Sequence, residues 1–144
     1  MSKSVFITGA TVNTGLGIAK KFASEGYNLF LGSRSEENAA KTARALSEEY
    51  GVFAKGYGMK VFDEEDVKRI FADIDALGYK IDCLVLNAAN LGIGQNVFDV
   101  SMEDFMNVIQ TNMGWNFMLA RQAALRMRKI GGGSIVFINS NTAY

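Results

Sequence analysis

Residues 5–17 read Val-Phe-Ile-Thr-Gly-Ala-Thr-Val-Asn-Thr-Gly-Leu-Gly, and no other stretch limits the possible folds so tightly. A short apolar run over 5–7 enters a loop with glycines at Gly9, Gly15 and Gly17. Leu16, Ala19, Phe22 and Ala23 then recur at helical spacing. Strand, glycine loop and helix together bring bare backbone N–H groups and a helix N-terminus up to a phosphate. Glycine suits that loop because a Cβ would hold a pyrophosphate away and obstruct the tight turn. An ordinary glycine turn would look the same from these residues alone, so the rest of the chain has to separate the two.

The rest repeats the alternation. Gly26 stops the first helix, and 28–32 reads as a second strand. Ser35 can cap a helix carrying Ala39, Ala40, Ala43 and Leu46 inward, ended by Gly51. Residues 52–59 form a weaker, glycine-broken strand. Asp63 opens a helix with the inward stripe Val67, Ile70, Phe71, Ile74 and Leu77, closed by Gly78. Residues 81–86 are apolar except for Asp82, and a long helical region over 102–129 begins at a capping box of Ser101 and Asp104. Gly131, Gly132 and Gly133 break it before a strand over 134–139. Alternating elements with near-continuously apolar strands predict an α/β fold, a Rossmann-type doubly wound parallel sheet covered on both faces. Ligands of such sheets lie at the carboxyl ends of the strands, where the strand order reverses. That rule selects residues 8–17, 33–34, 87–90 and 140, the places where polar residues interrupt the apolar runs.

Composition narrows the function. With 144 residues and 49% hydrophobic, the chain can bury one core. Net charge is zero and pI about 6.3, which argues against nucleic-acid and anionic-membrane partners. No apolar run reaches membrane-span length and no signal-peptide pattern opens the chain, so a cytoplasmic location is expected. The single cysteine, Cys83, lies in an apolar run and reads as a buried hydrophobe; with no histidine present, no disulfide and no metal site is expected. Proline is absent, where average usage would give about seven.

Taken together, the motifs resemble the N-terminal part of a short-chain dehydrogenase/reductase. Thr8-Gly9 with Gly15-Leu16-Gly17 is similar to the family's cofactor loop, and Asp82-Cys83-Leu84-Val85-Leu86-Asn87-Ala88-Ala89 to its Asp-x-Leu-Val-Asn-Asn-Ala-Gly strand. Asn112 matches the asparagine of the catalytic tetrad, and residues 133–140 match the strand ending in the catalytic serine, Ser140. The resemblance covers essentially all of 1–144 as one dinucleotide-binding unit. It implies cofactor contacts at Thr8, Gly9, Thr11, Asn13, Thr14, Gly15, Leu16, Gly17, Ser33, Arg34, Asn87, Ala88 and Ala89. It also implies hydride transfer between a nicotinamide dinucleotide and a small carbonyl or alcohol, and a homo-oligomer, dimer or tetramer.

Four departures qualify it. The loop has two residues more than usual between Gly9 and Gly15, a spacing similar to the enoyl-acyl-carrier-protein reductase branch, which usually has serine and alanine at the positions of Gly15 and Gly17. Ala89 stands where glycine is usual. Lys60 stands where an aspartate usually meets the adenine. The family's Tyr-x-x-x-Lys pair would fall further on than Tyr144, which is too close to Ser140 to match. The sheet is therefore expected to be incomplete at its C-terminal end, and the chain to be part of a longer one. The alternatives are an enoyl-thioester reductase of the same family and, from another class, a dinucleotide-binding module without catalysis.

After the second strand stands Ser33-Arg34, where an NAD-selective site usually has an acid. A hydroxyl and a fixed guanidinium suit a 2′-phosphate, which favours NADP, with NAD as the alternative. Asn112 is expected to kink its helix or hold a water in a proton relay, and Ser140 to hydrogen-bond the reacting oxygen. Gly92, Gly94, Gln95 and Asn96 read as a mobile loop over the cleft. Met102, Met106, Met113, Met118 and Met127 read as packing or subunit-interface residues.

Overall fold

In a computed structural model, which describes residues 2–140, five parallel strands stand in the order β3-β2-β1-β4-β5. They are β1 (Ser4–Thr8), β2 (Asn28–Ser33), β3 (Ala54–Gly58), β4 (Cys83–Leu86) and β5 (Ser134–Phe137). Between them run α1 (Asn13–Ser24), α2 (Glu36–Tyr50), α3 (Glu64–Ala76), α4 (Met102–Ile109) and α5 (Asn116–Lys129), the last two joined by a π-helical turn over Gln110–Trp115. The α/β, doubly wound reading is the architecture observed.

Local signals start and stop these elements. Ser35, Asp63 and Ser101 each accept the backbone N–H three residues on, capping α2, α3 and α4. Gly51 ends α2 in the left-handed region at φ +68°, a conformation that strains residues with a Cβ. Side chains alternate across the strands. Val5, Ile7, Leu29, Leu31, Cys83 and Val85 face α1 and α2, while Phe6, Phe30, Leu84 and Leu86 face α3 and α5.

Three expectations shift in detail. β4 begins at Cys83 rather than at 81, because Asp82 continues the pairing with its side chain: its Oδ2 accepts the Ser4 N–H at 2.8 Å. β3 and β5 are each shorter at both or one end than the apolar runs that announce them. The helical region over 102–129 is interrupted by the π turn, which contains Asn112, the residue expected to kink its helix.

Candidate functional site

The chain leaves β1 toward β2 on one side and returns after β3 to pair β4 on the other. Loops leaving the carboxyl ends of β1 and β4 therefore diverge, and a crevice opens between them. Hydrogen bonds hold its floor. The β1–β4 ladder runs from Val5↔Cys83 to Ile7↔Val85, and the fully buried Thr8 prolongs it. Its Oγ1 accepts the N–H groups of Asn87 at 3.0 Å and Ala88 at 3.1 Å.

The glycine loop is locked onto that floor. Asn87 Nδ2 donates to the Gly9 carbonyl at 3.0 Å, so the asparagine side chain is spent on the loop. Gly9 has φ +63°, and a Cβ there would come within 3.0 Å of Asn87 Nδ2. A Cβ on Gly15 would lie 1.9 Å from the Gly9 carbonyl oxygen and 2.6 Å from Asn87 Nδ2. Gly15 is thus required by the packing of α1 against the loop, before any ligand enters. Gly17 is different: it is exposed, and a Cβ there would meet nothing within 4 Å. The long spacing from Gly9 to Gly15 is taken up by exposed Val12, Asn13 and Thr14, with Asn13 at φ +47°. Ala10 N–H donates to the Gly32 carbonyl at 3.1 Å, and Thr11 Oγ1 lies 3.5 Å from Ser33 Oγ, tying the loop to the end of β2.

Helix α1 starts unlike α2, α3 and α4. Its N-cap, Val12, offers no side-chain hydrogen bond, and its first turn holds no acid. The other three have capping side chains and acidic first turns. The first N–H groups of α1 therefore keep their partial positive charge, uncapped and unopposed, at the mouth of the crevice. An anion fits there.

At the end of β2, Ser33 Oγ accepts the Ser35 N–H at 3.3 Å, and Arg34 is exposed with no hydrogen bond or ion pair among the described residues. Lys60 is exposed, and its N–H donates to Asp66 Oδ2 at 2.8 Å. Asp66 is 7% exposed and also accepts from Arg69 at 2.7 Å. That carboxylate, which shapes the turn after β3, is hidden in the sequence among the acids of 63–66.

On the other side of the crevice, Asn112 lies in the π turn and clamps the loop after β4. Its Oδ1 accepts the Asn90 N–H and its Nδ2 donates to the Asn90 carbonyl, both at 2.8 Å. Ala88 and Ala89 lie between this clamp and the Thr8 anchor. Register carries Ser140 to the same edge: Leu86 pairs Phe137, Ile138 N–H donates to the Leu86 carbonyl at 3.0 Å, and the Ser140 N–H donates to Asn139 Oδ1. Tyr144 lies outside the described residues. Residues 92–99 form two tight turns, with Gln95 N–H donating to the Gly92 carbonyl and Phe98 N–H to Asn96 Oδ1. Leu91, Ile93, Val97 and Phe98 stand exposed around them, so the crevice is open on this side.

The set Thr8, Asn87, Asn90, Asn112 and Ser140 is neutral. It can orient a ligand and donate hydrogen bonds, and it carries no group that titrates near neutral pH. The perturbed groups lie elsewhere. Tyr57 donates to Asp73 Oδ2 at 2.7 Å, and burial, with Asp73 beside it, pushes the phenol far up. Hydrogen bonds from Lys55 and Tyr57 hold the Asp73 carboxyl below its ordinary value. Burial pushes the Cys83 thiol up. Two concavities of about 510 and 490 Å³ lie at the amino ends of the strands, around Lys3 and Asp82, opposite the glycine loop. They share none of the set Thr8, Asn87, Asn90, Asn112 and Ser140. Among the described residues, no cluster of His, Cys, Asp and Glu could hold a metal, and no helix is long and apolar enough to cross a membrane.

Comparison with known proteins agrees with this layout. The family model described as short chain dehydrogenase matches residues 3–144. The chain is 30% identical over 143 residues to dehydrogenase/reductase SDR family member 4 of Sus scrofa, covering 99% of this chain and 51% of that protein. It is 33% identical over 140 residues to a 3-oxoacyl-[acyl-carrier-protein] reductase of Aquifex aeolicus, covering 96% and 55%. The structure of L-sorbose reductase from Gluconobacter frateurii, complexed with NADPH and L-sorbose, superposes with a TM-score of 0.91 at 29% identity, over 99% of this chain and 54% of that one. The chain spans about half the length of the curated relatives it matches.

Proposed function

Because the chain belongs to the short chain dehydrogenase family, we propose that residues 1–144 form the dinucleotide-binding unit of an oxidoreductase that uses NADP(H) on a ketone or secondary alcohol. The observation that carries this reading is the bare, acid-free start of α1, together with an exposed Arg34 that has no hydrogen bond or ion pair among the described residues. The helix start suits the pyrophosphate, and the guanidinium suits a 2′-phosphate. The relative solved with NADPH supports the same dinucleotide. When bound, the dinucleotide supplies or accepts the hydride.

This chain's own residues then have distinct roles. Thr8, Gly9, Gly15 and Asn87 hold the loop in shape. Thr11, Asn13, Thr14, Leu16, Gly17 and Ser33 border the phosphates, and Ala88 and Ala89 leave room for a flat ring. Ser140 hydrogen-bonds the reacting oxygen, and Asn112 acts by fixing Asn90. The enoyl-thioester alternative is less well supported. A serine at position 15 would place its Cβ on the Gly9 carbonyl, and a curated relative is an oxoacyl reductase. Exposed Met102, Phe105, Met106, Met113 and Phe117 form an apolar stripe on α4, the π turn and α5, which supports a homo-oligomer.

Arg34→Asp in the natural chain tests the cofactor. NADPH binding, followed by fluorescence titration, is expected to weaken by about 1–3 kcal/mol while NADH binding is kept. Equal loss of both overturns the NADP reading. Since Arg34 has no partner among the described residues, thermal stability is expected to be unchanged.

A further inference from the structure

Asn116, the first residue of α5, is not among the residues that the family resemblance singles out. In a regular α-helix its N–H would donate to the carbonyl of Asn112. Here that N–H turns to the Met113 carbonyl, and the Asn116 side chain takes its place: Nδ2 donates to the Asn112 carbonyl at 2.9 Å. The same side chain keeps Oδ1 buried with no hydrogen-bond partner among the described residues. An amide with an unpartnered acceptor is a costly choice inside a helix, where leucine would pack at no polar cost. Its return is the one bond it makes.

We infer that Asn116 is a positioning residue: it holds the Asn112 carbonyl in the π turn, so that the Asn112 amide stays clamped on Asn90 and fixes the loop over 88–92 that borders the dinucleotide. The linkage is short and continuous. Asn116 holds Asn112, both polar atoms of the Asn112 side chain are committed to Asn90, and Asn90 follows directly on Ala88 and Ala89. If the π turn relaxes, the clamp has no second support, because Asn112 offers no other side-chain group.

The inference rests on the proposed dinucleotide site, and its test separates the two. Asn116→Leu keeps the size and removes the donor. Asn116→Ser restores a donor, because a helical serine hydroxyl can reach the carbonyl four residues back. Both are made in the natural full-length chain. Amide hydrogen exchange over 88–92 is expected to speed up about fivefold in Asn116→Leu, the effect of one net hydrogen bond, and the NADPH dissociation constant to rise by a similar factor. In Asn116→Ser both are expected to stay within about twofold of the unsubstituted chain. Equal behaviour of the leucine and serine variants overturns the inference, as does faster exchange with unchanged NADPH affinity. If the unsubstituted chain fails to bind NADPH, the proposed function falls, and the exchange rates alone decide whether Asn116 governs the loop.

Discussion

The two faces of the sheet are built from residues of different size. Against α1 and α2 the core uses Ala10, Ala19, Ala23, Ala43 and Cys83 among its aliphatics. Against α3 and α5 it uses Phe6, Phe30, Tyr57, Phe71 and Trp115. Small residues let helix backbones come down onto the strands. At Gly56 a Cβ would lie 2.2 Å from the Ala39 carbonyl carbon, and at Gly15 it would lie on the Gly9 carbonyl. The glycine loop is an extension of the small-residue face, fixed by backbone sterics. The opposite face is filled by rings, and its irregular element, the π turn, is held by amide hydrogen bonds.

The sharpest break of this contrast is Phe71→Ala. Phe71 is fully buried, edge-on to Phe6 at 5.5 Å. Its loss is expected to cost about 3–5 kcal/mol in urea unfolding, as for other large-to-alanine changes in cores. NADPH affinity in the remaining folded fraction should persist, because the loop belongs to the other face. Large loss of affinity in the folded fraction would show that the two faces are not independent.

On the small-residue face, Gly15→Ala should cost about 1–3 kcal/mol and abolish NADPH binding, since the added methyl must displace backbone rather than a flexible side chain. Thr8→Val leaves the Asn87 and Ala88 N–H groups without their acceptor and should cost a similar 1–3 kcal/mol, roughly the penalty for an unsatisfied buried donor. Gly17→Ala tests the contrast from within the same loop. With open space around it and a helical position, it should gain up to about 1 kcal/mol of stability. A drop in NADPH affinity in that variant would place the pyrophosphate against Gly17; unchanged affinity would place it elsewhere along the loop.

The smallest effect concerns pH. Asp73 is held below its ordinary value by hydrogen bonds from Lys55 and then Tyr57. Its contribution to stability is therefore present above the carboxyl value of the unfolded chain and is lost as pH falls through the lower folded value. Asp73→Asn should reduce the acid-side fall in urea midpoint, measured between pH 7 and about pH 3. An unchanged pH profile would show that the tie between β3 and α3 carries no linkage. Because the Asp73 side chain is 39% exposed, solvent screening keeps the effect small.

The parts of this protein legible in the sequence are those whose causes lie within a few residues. Ser35, Asp63 and Ser101 announce helix starts because each cap bond spans three residues, and Gly51 announces a stop because its backbone conformation is local. The apolar alternation is enough for a two-faced parallel sheet, and the glycine spacing for a loop suited to phosphate. Tertiary structure decided the rest. Gly15 is needed because α1 lies on the Gly9 carbonyl. Thr8 is needed because two N–H groups some eighty residues away end on its hydroxyl. The π turn exists where Asn112 reaches Asn90 across 22 residues while Asn116 takes over a backbone bond. Sequence patterns report hydrogen bonds and burial along one element. They are silent about which groups from distant elements meet, and at this site those meetings set the shape of the crevice.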